Sequence, residues 1–135
     1  MVELKVWYEQ PDTTTGDPAV LIRTADELNS FINRVLDETK THRCSAMIQA
    51  VIADGPRLPI LQVGLGQTKG FIGYSAKDGG WTKGDGDPSQ VVEYVYMGSL
   101  SEVPADVEVS IEQVRQGLRE FMESGECPSV IHVAK

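Results

Sequence analysis

His42, Cys44, Cys127 and His132 are the side chains from which a metal centre would be built, because zinc prefers imidazole and thiolate donors. They form no Cys-x-x-Cys pair and fit no standard zinc spacing. The reading is a buried Cys44 at a strand start and a Cys127 in a turn, with no metal and no cofactor. The run Gly64-Leu65-Gly66-Gln67-Thr68-Lys69-Gly70 has the glycine density of a phosphate-binding loop. Such loops work because a strand feeds a helix whose N-terminus faces the phosphate. Here Phe-Ile-Gly-Tyr-Ser follows, which has strand character, and the spacing is neither Gly-x-Gly-x-x-Gly nor Gly-Lys-Ser/Thr. A hairpin turn is expected. No Gly-x-Ser-x-Gly elbow presents a nucleophilic serine. Deaminase chemistry would need His-x-Glu with Pro-Cys-x-x-Cys. His42 is instead followed by Arg43-Cys44, and Cys127 stands alone before its proline. The carboxylate pairs Asp85/Asp87 and Glu102/Asp106 read as solvated, since 20 acids make such spacings common. The sequence therefore predicts no enzyme.

Trp81 is the one side chain that reads as a binding group. It lies among Gly79, Gly80 and Gly84, where the backbone is permissive and the indole is expected to be partly exposed. Tryptophan is enriched at binding hot spots. The competing reading is that it folds back and plugs one end of a sheet. Tyr74, Tyr94 and Tyr96 fall on strands, and Tyr94 and Tyr96 share a strand face, which favours packing at the core edge. An alternative function follows from these four aromatics: a small-molecule-binding or enzymatic domain with a pocket around Tyr74, Trp81, Tyr94 and Tyr96.

The elements that position these residues follow from periodicity. Residues 2–9 alternate and read as a strand, residues 11–18 as a turn-rich loop, and residues 19–23 as a short second strand. Thr24 and Glu27 form a capping box, and Leu28, Phe31, Ile32, Val35 and Leu36 lay one apolar stripe along a helix over about 25–40. Strands are expected at 44–53, 59–64 and 71–76, joined by short Gly-containing turns, as in an antiparallel meander. Residues 77–88 read as a loop and 91–97 as a strand. Ser110 and Gln113 open a second helix, whose stripe is Ile111, Val114, Leu118, Phe121 and Met122. Gly125 and Pro128 mark its end, and residues 129–133 form a last strand. The predicted order is β-β-α-β-β-β-β-α-β: a single α+β domain over 1–135, with two helices on one face of a curved antiparallel sheet.

Length and charge narrow the partners. The chain has 135 residues and a formal net charge of −8. One domain is the natural reading, long enough to fold without a disulfide framework. Nucleic acid and anionic membrane surfaces both demand Lys and Arg that this balance does not supply. No apolar run reaches membrane length, the start has no signal-peptide pattern, and cysteines are few, so a cytoplasmic protein is expected. The charge is uneven. Residues 1–83 carry ten acids and nine bases, whereas residues 84–135 carry ten acids and three bases. An acidic surface of this kind is either simply solvated or built to meet a basic protein.

The last third is the most distinctive stretch. It runs Val91-Val-Glu-Tyr-Val-Tyr-Met-Gly98, then Ser-Leu-Ser-Glu102-Val-Pro104-Ala105-Asp106, and on through Ser110-Ile-Glu-Gln-Val114 to Gly125-Glu-Cys-Pro128. It resembles Imm family one of the bacterial polymorphic-toxin immunity proteins, the deaminase-toxin immunity proteins. The matching residues are Glu102, Pro104, Ala105, Val114, Arg115, Glu120, Phe121, Gly125 and Pro128. Upstream, Leu61–Gly66, Phe71–Tyr74 and Gly80-Trp81 also follow that family's track, so the resemblance covers about residues 20–133. Gly117 departs from a frequent Ala, and His132-Val133 from a common Trp. The matched positions are architectural. The resemblance implies a stoichiometric inhibitor of a cognate toxin, most often a nucleic-acid deaminase with a basic substrate cleft. Under that reading the partner-binding residues are Trp81, Asp85, Asp87, Glu102, Asp106 and Glu108, lying over or beside the toxin's active site.

Overall fold

A computed structural model describes residues 2–7, 20–40, 45–53, 55, 59–75, 79–96 and 99–133. The first helix, α1 (Ala25–Thr39), begins as its sequence dictates. The Thr24 hydroxyl accepts the Glu27 amide at 3.1 Å, and the Glu27 carboxylate reaches back to the Arg23 amide at 2.9 Å. The second, α2 (Ile111–Ser124), carries a complete capping box between Ser110 and Gln113. It stops at Gly125, whose φ of 71° lies in the left-handed region that glycine enters without steric cost.

Ten strands are found among the described residues: β1 (Leu4–Trp7), β2 (Val20–Ile22), β3 (Ser45–Ile52), β4 (Ile60–Leu65), β5 (Lys69–Ser75), β6 (Gly80–Thr82), β7 (Val91–Tyr96), β8 (Ser99–Pro104), β9 (Val109–Ser110) and β10 (Ile131–Val133). They form one sheet ordered β10-β6-β5-β4-β3-β1-β2. β3 divides its free side between β1 and β7, and β5 divides its own between β6 and β9. The hairpin of β7 and β8 therefore branches off β3.

The α+β class and both helices agree with the sequence reading. Three strands go beyond it: β6 lies inside the expected loop 77–88, and β8 and β9 flank a 3-10 turn at Ala105–Val107. Each is defined by what it pairs with rather than by its own alternation. The sheet is also not wholly antiparallel, because β7 runs parallel to β3 at Ser45↔Tyr94 and Ala46↔Val95. The expected Gly-rich hairpin does form, with Leu65 opposite Gly70. Its Gln67 amide donates to the Leu36 carbonyl at 2.7 Å, satisfying one of the acceptors left at the end of α1.

Alternation along the strands sends side chains to two cores. On one face Ile48, Leu61, Val63, Leu65 and Ile72 pack against Phe31, Ile32 and Val35 of α1 and Val114, Leu118 and Phe121 of α2. Arg115 joins the helices through a 2.7 Å bond to the Asn33 side chain. On the opposite face Met47 and Phe71 meet Tyr94, Val103 and Val107, which belong to the branched hairpin and the turn after it. The branch thus covers the sheet face that the helices leave open.

Candidate functional site

Trp81 lies at the margin of this second core. It stands on β6 opposite Gly73, with its ring 5.8 Å from that of Phe71 and 41% of its surface exposed. A β-carbon on Gly73 would come within 2.8 Å of the indole, so the glycine makes room for it. The indole is both plug and surface: one side packs, the other faces solvent.

After Trp81 the chain runs through residues 83–90 against the segment 102–108. Gly84 donates its amide to the Asp106 carbonyl at 2.6 Å, and Ala105 donates to the Gln90 carbonyl at 2.9 Å. A β-carbon on Gly84 would lie 1.9 Å from the Glu108 carbonyl oxygen, so only glycine permits this approach. Thr82 fastens the pair to the sheet. Its buried hydroxyl accepts the Ile72 amide at 3.0 Å and donates to the Val107 carbonyl at 2.7 Å. Two acidic segments that are far apart in sequence are in this way stitched together beside Trp81.

Their carboxylates do different work. Asp85 and Glu102 are exposed. Glu102 belongs to β8, opposite Glu93. Asp87 is exposed and closes an Asx turn, accepting the Ser89 amide and hydroxyl at 2.9 and 2.7 Å. Those two bonds hold its carboxyl below the usual carboxylate range. Asp106 is mostly covered and lies 3.4 Å from the Lys83 ammonium. Glu108 accepts the Tyr94 hydroxyl at 2.6 Å. Burial, together with this carboxylate, drives the Tyr94 phenol far above its ordinary value. The structure therefore brings all six sequence-derived residues to one region, but Asp106 and Glu108 turn partly inward. The Tyr94–Glu108 bond and the Thr82 clamp leave no pattern in the sequence beyond a strand face shared by Val92 and Tyr94.

The Tyr96 side chain lies outside the described ones, and the remaining aromatics of the expected pocket are divided between the two faces of the sheet. Tyr74 packs with the helices, edge-on to Phe121 at 6.2 Å between centroids, whereas Tyr94 is buried on the other side of the sheet. A cleft of about 480 Å³ does open beside Lys69, Lys83, Asp85 and Glu108, near the start of α2, and its walls carry both signs of charge. His42 and Cys44 lie outside the described residues, as does the His132 side chain. Cys127 is exposed in the turn after α2. Among the described residues no cluster of His, Cys, Asp and Glu could hold a metal ion, and no helix is long and apolar enough to cross a membrane.

Several of the residues that carry the resemblance prove architectural, whereas Glu102 is exposed. Val114 and Phe121 are fully buried, Gly125 ends α2, and Glu120 holds the following turn by accepting from the Ser129 hydroxyl at 2.9 Å. The frame is thus a two-helix α+β scaffold with an acidic, tryptophan-bearing face on the side away from the helices. The chain matches the family model for immunity protein Imm1 over residues 16–135 and belongs to that family of toxin-immunity proteins. A search of curated proteins returns no match.

Proposed function

We propose that this immunity protein neutralises a nucleic-acid deaminase toxin by stoichiometric binding, laying residues 81–90 and 102–108 over the toxin's substrate cleft or active site. The observation that carries this reading is the joining of two acidic segments beside a half-exposed Trp81. A deaminase that works on DNA or RNA must attract phosphates, so its cleft is basic. An acidic protein with its excess charge in residues 84–135 is the electrostatic complement. Asp85, Asp87 and Glu102 supply the accessible charge and Trp81 the apolar anchor. Asp106 and Glu108 hold the face in shape through Lys83 and Tyr94.

The test is co-expression with the toxin domain encoded beside this gene, followed by size exclusion and stopped-flow mixing. A one-to-one complex that relieves toxicity is expected. Its association rate should fall about tenfold or more as salt is raised, because screening removes the steering. Trp81→Ala should speed dissociation by about tenfold or more while the protein stays folded. A rate indifferent to salt would show that charge does not bring the two together.

A further inference from the structure

β8 is an edge strand of the described structure. Among the described residues it pairs with β7 alone. The Ala105 amide donates to the Gln90 carbonyl, which fixes the phase of that ladder. In an antiparallel pair, hydrogen-bonded and non-bonded positions alternate. Ser101 and Val103 therefore point their amides and carbonyls at β7. Leu100 and Glu102 point theirs outward, and Pro104 offers a carbonyl but no N–H. A proline facing away from the ladder is characteristic of an edge strand, and here it limits how far a partner could pair.

The side chains at this edge are unusual as well. Val103 faces the second core, so Leu100, Glu102 and Pro104 face outward, with Val91, Glu93 and Val95 opposite them. Val91 and Leu100 are 58% and 57% exposed, the highest values among the exposed large apolar residues. The outer face of the hairpin thus has apolar ends and an acidic centre.

We infer that β8 takes up an extended segment of the toxin as an added strand, with a Lys or Arg opposite Glu102 and an apolar side chain opposite Leu100. Main-chain bonds to Leu100 and Glu102 would give affinity, and the two side chains would set register, as in strand-addition complexes generally. Charge argues against a second copy of this chain as the occupant. Antiparallel self-pairing about the centre of the open edge sets Glu102 opposite itself, between two chains of net charge −8. This inference rests on the neutralisation reading and specifies its contact.

Amide exchange measured by NMR tests it, on the free protein and on its complex with the toxin domain encoded beside this gene. In the free protein the Leu100 and Glu102 amides should exchange fast, and those of Ser101 and Val103 slowly. In the complex Leu100 and Glu102 should slow by about tenfold or more. Glu102→Lys should raise Kd by about tenfold or more. Leu21→Glu, on β2, which pairs with β1 and not with the β7–β8 branch, should leave Kd unchanged. A complex in which Leu100 and Glu102 still exchange fast overturns the added strand and leaves neutralisation standing. Absence of any complex overturns both. Protection that appears in the free protein and grows with its concentration assigns the edge to a second copy and overturns the inference.

Discussion

The Tyr94 phenol is 1% exposed, edge-on to Phe71 at 4.9 Å between centroids, with its hydroxyl on the Glu108 carboxylate. Ionising it would place a second negative charge in the second core. The folded protein consequently keeps a proton that the unfolded chain loses near the ordinary phenol value of 10. The resulting stability is fully present below pH 10 and falls as pH rises beyond it, by about 1.4 kcal/mol per pH unit. Tyr94→Phe should cost about 1.5–3 kcal/mol at neutral pH, the worth of a hydrogen bond to a charged group, and should make the alkaline slope shallower. Tyr74, also raised by burial, accounts for part of what remains. Urea unfolding at several pH values between about 9 and 11 checks this; an unchanged slope would mean that Tyr94 is not the group held protonated. At this scale the sequence is a partial guide. It marks Asp85, Asp87, Asp106 and Glu108 alike, because composition records a carboxylate and not the phenol or ammonium that it will turn towards.

Thr82 joins elements rather than residues. Its hydroxyl bridges β5 and the turn before β9, where no ladder bond spans the gap. Thr82→Val keeps the shape and removes the oxygen, leaving the Ile72 N–H and the Val107 carbonyl without their partner. The expected loss is about 1–3 kcal/mol for each group left buried and unsatisfied, read from urea or thermal unfolding. A Thr82→Val variant as stable as the parent would show that the bridge is dispensable. Both helices are legible in the sequence because Thr24, Ser110 and Gly125 mark their ends and the apolar stripes mark their inner faces. β6, β8 and β9 are not, for physical reasons. Three residues after Gly79 have no period to read. In Ser99–Pro104 only Val103 faces the core strongly enough to leave a trace. Val109–Ser110 is a strand only because Lys69 and Gly70 lie alongside it. Gly117, the departure from a frequent Ala, proves to lie against Ile72 and Val130, where a β-carbon would come within 3.0 Å of both side chains. Close seating of α2 on β5 explains the smaller residue.

At the scale of the whole molecule, the charge that would suit a basic partner works against the free fold. The net charge is −8, and ten of the 20 acids lie in residues 84–135 with only three bases among them. Among the described residues, Lys83–Asp106 is an attractive pair with a largely covered carboxylate, and the others are weaker. Arg34–Glu38 and Lys40–Asp37 are exposed helix neighbours, and pairs of that kind contribute a few tenths of a kcal/mol. Self-repulsion should therefore dominate, and screening it with sodium chloride should stabilise the free protein by on the order of 1 kcal/mol, a rise in Tm of roughly 4 °C. Chloride is the salt to use, because sulfate strengthens apolar burial whatever the charge. Under the proposed steering the same titration should slow capture of the toxin, so stability and association should respond to salt with opposite signs. A double variant, Asp85→Asn with Glu102→Gln, separates the two effects without added salt. It removes two exposed charges and leaves the inward contacts of Asp106 and Glu108 in place. It should melt higher than the parent and bind the toxin domain more slowly. If it melts higher and binds as fast, the acidic surface serves solubility alone and the steering argument fails; if it melts lower, Asp85 or Glu102 makes an attractive contact that outweighs the repulsion.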